Sequence, residues 1–171
     1  MALVFLPALI APAQSPKENQ LKAVLLLNLA RFVDWPESAF AAPDSPIVIG
    51  ILGHDPFGRT LDEAVQGEQV NGRPIVVERY ANLSAVRPCQ ILFICNNERG
   101  HIADVLRAVQ GKPVLTVSEL DGFAASLGGM VRVYTNSQNK IRLQINLEAA
   151  RAEKLQLSAK LLQVAELTRR T

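Results

Sequence analysis

Gly53-His54-Asp55-Pro56-Phe57-Gly58-Arg59-Thr60 is the stretch whose spacing comes closest to a chemical motif. It follows an apolar run, where a strand would give way to a helix, as a phosphate-binding loop does. Its residues argue against phosphate. Arg59 stands where a lysine should reach the phosphates, Pro56 lacks a backbone N–H, and Asp55 brings a negative charge. The stretch reads better as a capped turn, with Asp55 as N-cap and Pro56 in the first turn of a helix that ends at Gly67.

Other chemistry is sparse. The histidines are His54 and His101. No H-E-x-x-H, C-x-x-C or paired-histidine spacing occurs, so a zinc site has no support. His54 beside Asp55 is half of an acid–base pair in composition, and equally a solvated loop histidine beside a capping aspartate. No G-x-S-x-G elbow is present, and Ser118 reads as an N-cap before Glu119. No catalytic residue, metal or cofactor is expected, and the chain does not read as an enzyme.

Cys89 and Cys95 flank the apolar run Ile91–Ile94. In an extended strand their α-carbons lie about 20 Å apart, whereas a disulfide needs less than about 7 Å. An internal bridge is not expected. Each cysteine is either a small buried hydrophobe or a free thiol that pairs between chains or senses oxidant.

Met130–Tyr134 and Lys140–Ile145 alternate apolar and polar residues and read as an antiparallel hairpin. A loop from Thr135 to Asn139 would pair Val133 with Ile141 and Val131 with Leu143. Arg132 would then face Arg142, and Tyr134 would face Lys140. Like charges set opposite each other are unfavourable unless something separates or neutralises them. The face is therefore expected either to hold an anion, a carboxylate, phosphate or acidic partner surface, or to be solvated with the arginines splayed apart.

These residues need a scaffold, and the pattern supplies one. Ser15-Pro16-Lys17-Glu18 is a capping box with proline in the first turn. Leu21, Val24, Leu25, Asn28, Leu29 and Phe32 follow at helical spacing, predicting a long helix packed through that stripe. Pro36 ends it near Asp34. Ile47–Leu52 is a continuous apolar run, as in a strand buried on both faces. Pro74–Val77 after an Asn71-Gly72 turn, Ile91–Ile94 and Val114–Val117 are further strands. A helix over Glu98–Gln110 stops at Gly111. Helices over Leu147–Glu153 and Ala159–Thr168 close the chain. The expected class is α/β: a three-layer, mostly parallel Rossmann-like sheet extended by a C-terminal antiparallel hairpin, with a long N-terminal helix and C-terminal helices.

The chain has 171 residues and a formal charge of +2, too balanced for the concentrated basic face of a nucleic-acid binder. Residues 14–171 read as one domain. No apolar run is long enough to span a bilayer. Met1–Pro16 is uncharged; Leu3–Ile10 is apolar and Ala11-Pro12-Ala13 is an A-x-A cleavage pattern. Residues 1–13 thus read as a secretory signal peptide without its basic n-region, and export is expected.

Several segments together resemble YfiR-like periplasmic proteins. They are Leu21-Lys22-Ala23 through Asn28-Leu29-Ala30-Arg31-Phe32-Val33-Asp34-Trp35-Pro36, Gly53–Gly58, Cys89–Ile94 and Pro113–Ser118. Gly122-Phe123-Ala124, Gly128-Gly129-Met130, Ile141–Leu147 and Leu155–Leu162 complete the match, in order across nearly the whole mature chain. The combination, rather than any one motif, carries the resemblance.

The resemblance implies a small periplasmic signalling protein that binds the periplasmic part of an inner-membrane, YfiN-like diguanylate cyclase. Holding the cyclase inactive would lower cyclic di-GMP and biofilm formation. It also implies homodimers and disulfide-linked redox control. With only Cys89 and Cys95, control by an internal disulfide is not expected here. Related domains serve membrane histidine kinases, so a small-anion receptor using Arg132 and Arg142 is the other reading. The expected partner surface combines the opening helix beyond its core stripe, the Gly128-Gly129 turn, and the hairpin face with Arg132, Tyr134 and Arg142. The glycine pair reads equally as a tight lead into the strand.

Overall fold

The computed structural model describes residues 15–168; the expected signal peptide at 1–13 lies outside them. Helix α1 spans Pro16–Phe32, and the backbone N–H of Glu18 donates to Ser15 Oγ at 3.2 Å, one half of the expected capping box; the Glu18 carboxylate turns instead to Lys22 and Thr135. The helix ends where Val33 turns extended, and Val33–Asp34 form β1. Its buried face is not the expected one. Lys22, Ala23, Leu26, Leu27, Leu29 and Ala30 are buried, while Leu21 is 52% and Val24 is 44% exposed. Leucine and valine crowd this helix all round, so hydropathy alone does not fix its rotational phase.

The central strands are β2 (Ile47–Leu52), β4 (Arg73–Tyr80), β5 (Ile91–Ile94), β6 (Leu115–Ser118) and β7 (Val131–Thr135). Each neighbouring pair among them is parallel, in the order β4-β2-β5-β6-β7. β3 (Gln69–Val70) joins β4 through the expected Asn71-Gly72 turn, both residues having positive φ. β8 (Ile141–Ile145) lies antiparallel to β7, and β10 (Glu166–Leu167) pairs parallel with the end of β8. A separate short ribbon joins β1 to β9 (Gln156–Leu157).

Helices cover both faces, giving the expected three layers. One core combines α1, α2 (Arg59–Val65), α4 (Leu147–Ala152) and α5 (Ala159–Val164) with Ile47, Ile49, Ile51, Ile91, Phe93, Leu115 and Val117. The other sets α3 (Ile102–Val109) and Phe123 against Val48, Leu52, Leu92 and Ile94. This explains the unbroken apolar runs: in a strand buried on both faces, odd and even positions both meet a core. Gly50 is the exception within β2. A Cβ there would lie 2.6 Å from the Tyr80 ring, so the ring occupies that space.

Three boundaries differ from expectation. Helix α2 starts at Arg59 rather than beside Pro56. Asp55 caps nothing helical: its carboxylate accepts from the Phe57 N–H at 2.7 Å and pairs with Arg79 Nε at 2.6 Å, while Gly58 has φ +52°. The helix expected from Glu98 begins as a 3-10 turn over Asn96–His101. The last helix stops at Val164, where the chain turns extended to form β10.

Candidate functional site

The polar face of the β7–β8 hairpin is built from alternate residues, because the other alternation, Val131, Val133, Leu143 and Ile145, fills the core. The register places Thr135 opposite Ile141, Tyr134 opposite Arg142, Val133 opposite Leu143 and Arg132 opposite Gln144. This corrects the expected Arg132–Arg142 and Tyr134–Lys140 pairs by two residues. A shift of two keeps every side chain on its face, so the apolar pattern satisfies both ladders. The turn decides between them. Asn136 Oδ1 accepts from the N–H groups of Gln138 and Lys140, and Asn139 takes φ +55°. The loop is therefore 136–140.

The arginines are thus not head to head. Arg132 pairs with Asp121 at 2.9 Å and lies over the Tyr134 ring, 4.6 Å from its centre. The Tyr134 hydroxyl donates to Glu166 at 2.8 Å, and that carboxylate is the main cause of the raised phenol pKa. Arg142 is exposed, and among the described residues no carboxylate pairs with it. Arg132 Nε and Gln144 Oε1, on cross-strand neighbours, are buried without a hydrogen-bond partner among the described residues. The result is an amphoteric strip at whose rim, among the described residues, the Arg142 guanidinium is uncommitted.

Asp121 and Glu166 escaped the sequence reading. They lie far in sequence from the residues they meet, with no local spacing to mark them. The loop that supplies Asp121 runs on to Gly128 and Gly129. Gly128 has φ +88° and lines an open groove of about 660 Å³ with Leu106, Leu127, Met130 and Ala149. Gly129 faces inward. A Cβ there would lie 2.2 Å from the Phe123 ring, so close packing requires the glycine.

Cys89 and Cys95 are free and buried. Cys89 joins the α3-side core and Cys95 the α1-side core, so they lie on opposite faces of the sheet. Burial pushes both thiols up to about 12, which opposes thiolate chemistry in the folded chain. Ser118 ends β6 rather than capping a helix; its hydroxyl donates to Ile94 O at 2.7 Å and accepts from Leu120 N–H. His54 sits in the loop after β2, its N–H held by Asn97 Oδ1 at 2.9 Å. Among the described residues no group of three His, Cys, Asp or Glu is placed to hold a metal, and no helix is long and apolar enough to cross a membrane.

No curated protein matches the chain. The sequence pattern of the YfiR/HmsC-like family matches residues 19–166, from the first turns of α1 into β10. Members of that family are periplasmic, regulatory rather than catalytic, and associated with control of a diguanylate cyclase. With the match running through both helical layers, the sheet and the hairpin, the chain belongs to the YfiR/HmsC-like family.

Proposed function

We propose that this chain is a periplasmic regulator that binds the periplasmic part of an inner-membrane diguanylate cyclase and holds it inactive. Cyclic di-GMP and biofilm formation fall as a result. Family membership over residues 19–166 is the observation that carries the reading. The regulator acts by binding the inactive state of the cyclase better than the active one, since a ligand shifts an equilibrium only by its differential affinity. The contact surface is the hairpin strip with Arg132, Tyr134 and Arg142, continued by Gly128 and Gly129. The regulator works as a homodimer and reaches the membrane only through its partner.

The test is co-purification of the exported, tagged protein from its native membranes, with mass spectrometry of what accompanies it. A cyclase with a periplasmic domain supports the reading. Arg142→Ala then weakens capture about fivefold to tenfold, the scale of one charge-assisted contact, and leaves melting unchanged. Capture of a histidine kinase alone would overturn it.

A second reading, a small-anion receptor signalling through such a kinase, draws support from the buried Nε of Arg132, which has no acceptor among the described residues. Titration of phosphate and acetate against wild type and Arg132→Lys separates the two. Saturable binding that the variant loses favours the receptor.

A further inference from the structure

A second concavity, of about 370 Å³, opens where the chain leads into β5 and β6, at the amino ends of the parallel strands. That volume falls within the range of small-molecule sites. Its wall is apolar. Leu83 and Val86 come from the connection after β4, Cys89 precedes β5, Val109 ends α3, and Val114 precedes β6. Among the described residues only two charged ones line it, and both are cations, Arg87 and Lys112. Both are exposed. Lys112 Nζ donates to Ala108 O at 2.8 Å, which leaves two of its three donors uncommitted. Among the described residues the Arg87 side chain has no ion-pair or hydrogen-bond partner.

An apolar wall with a purely cationic rim selects for charge as well as for hydrophobicity. A neutral ligand gains the wall alone. A cationic one meets two like charges. A ligand with a compact apolar body and a single carboxylate satisfies both parts, its body on Leu83, Val86, Val109 and Val114 and its carboxylate at Arg87 and Lys112. We infer that this pocket binds a free aliphatic monocarboxylate. The inference is independent of which membrane protein the chain regulates.

Octanoate is the probe, measured by isothermal titration on the folded chain beside octanol and octyltrimethylammonium. Octanoate is expected to bind saturably and about tenfold more tightly than octanol, with no measurable binding of the cation. Arg87→Ala with Lys112→Ala should bring octanoate down to the octanol level without moving the melting temperature, as both side chains are exposed. Absence of saturable octanoate binding, equal binding of octanol, or an undiminished affinity in the double variant would each overturn the inference.

Discussion

Lys22 shows how one residue ties the opening helix to the rest. It is a lysine on the buried face of α1, paired with Glu18 at 2.7 Å and with Glu119 just beyond β6. Such a cation is tolerated because both partners reach it; Lys22→Ala would remove both ion pairs and leave Glu18 short of its counter-ion, at a cost of about 3 kcal/mol. Glu18 also accepts from Thr135 Oγ1 at 2.7 Å, which joins α1 to the end of β7. Hydrogen bonds from Lys22, then Thr135, lower the Glu18 pKa below its usual value. A carboxyl that ionises more readily when folded stabilises the fold above its unfolded pKa. That stability is lost as pH falls through the lower folded value. The parent should therefore lose melting temperature more steeply than Glu18→Gln between about pH 5 and pH 3. Parallel acid limbs would remove Glu18 from the account. The thiols give a second residue-scale expectation. With burial pushing Cys89 and Cys95 up to about 12, both should react far more slowly with a thiol reagent at pH 8 than in the unfolded chain. Rapid native labelling of either would show that its side of the sheet opens.

The turn into β7 illustrates what an element asks of its residues. Gly129 is packed under Phe123, so Gly129→Ala should cost about 2–3 kcal/mol in chemical denaturation, as overpacking does. Gly128→Ala faces open groove, its nearest neighbour Leu106 at 4.0 Å, and carries only the strain of φ +88°, about 1 kcal/mol. If the glycine pair serves a partner, Gly128→Ala should weaken membrane capture with a near-native melt, whereas Gly129→Ala would act through stability. Equal costs for both would refute the packing argument. The same scale shows what the sequence made legible. Ile47–Leu52 and Ile91–Ile94 were readable as doubly buried strands because two cores need apolar residues at every position. The Asn71-Gly72 turn was readable because its chemistry is local. The hairpin register was not, since two ladders two residues apart bury the same side chains and only Asn136 chooses between them. The start of α2 was not either, because Asp55 is drawn to Arg79, 24 positions away. The partners of Arg132 and Tyr134 are equally nonlocal.

At the scale of the molecule, both cores hang on one sheet. Val48 and Leu52 of β2 face α3, while Ile47, Ile49 and Ile51 face α1 and α2, so neither helical layer can lose its support alone. Unfolding should therefore be a single transition although the molecule has two hydrophobic clusters. Two substitutions of the same chemistry test this from opposite sides. Leu92 is fully buried against α3, and Leu115, on the neighbouring strand, is fully buried toward α1. Each leucine-to-alanine change should cost about 3 kcal/mol by transfer and cavity terms. In a domain of this length that lowers the melting temperature by about 6–12 °C. Calorimetry of both variants should show one peak, displaced by a similar amount, with the calorimetric and van't Hoff enthalpies equal. A Leu92→Ala melt that splits in two would mean that the α3 layer opens while the α1 layer stays folded. The pocket between α3 and the leads into β5 and β6 would then sit on the separable half of the protein. Ligand binding there would be coupled to local opening rather than to the stability of the whole.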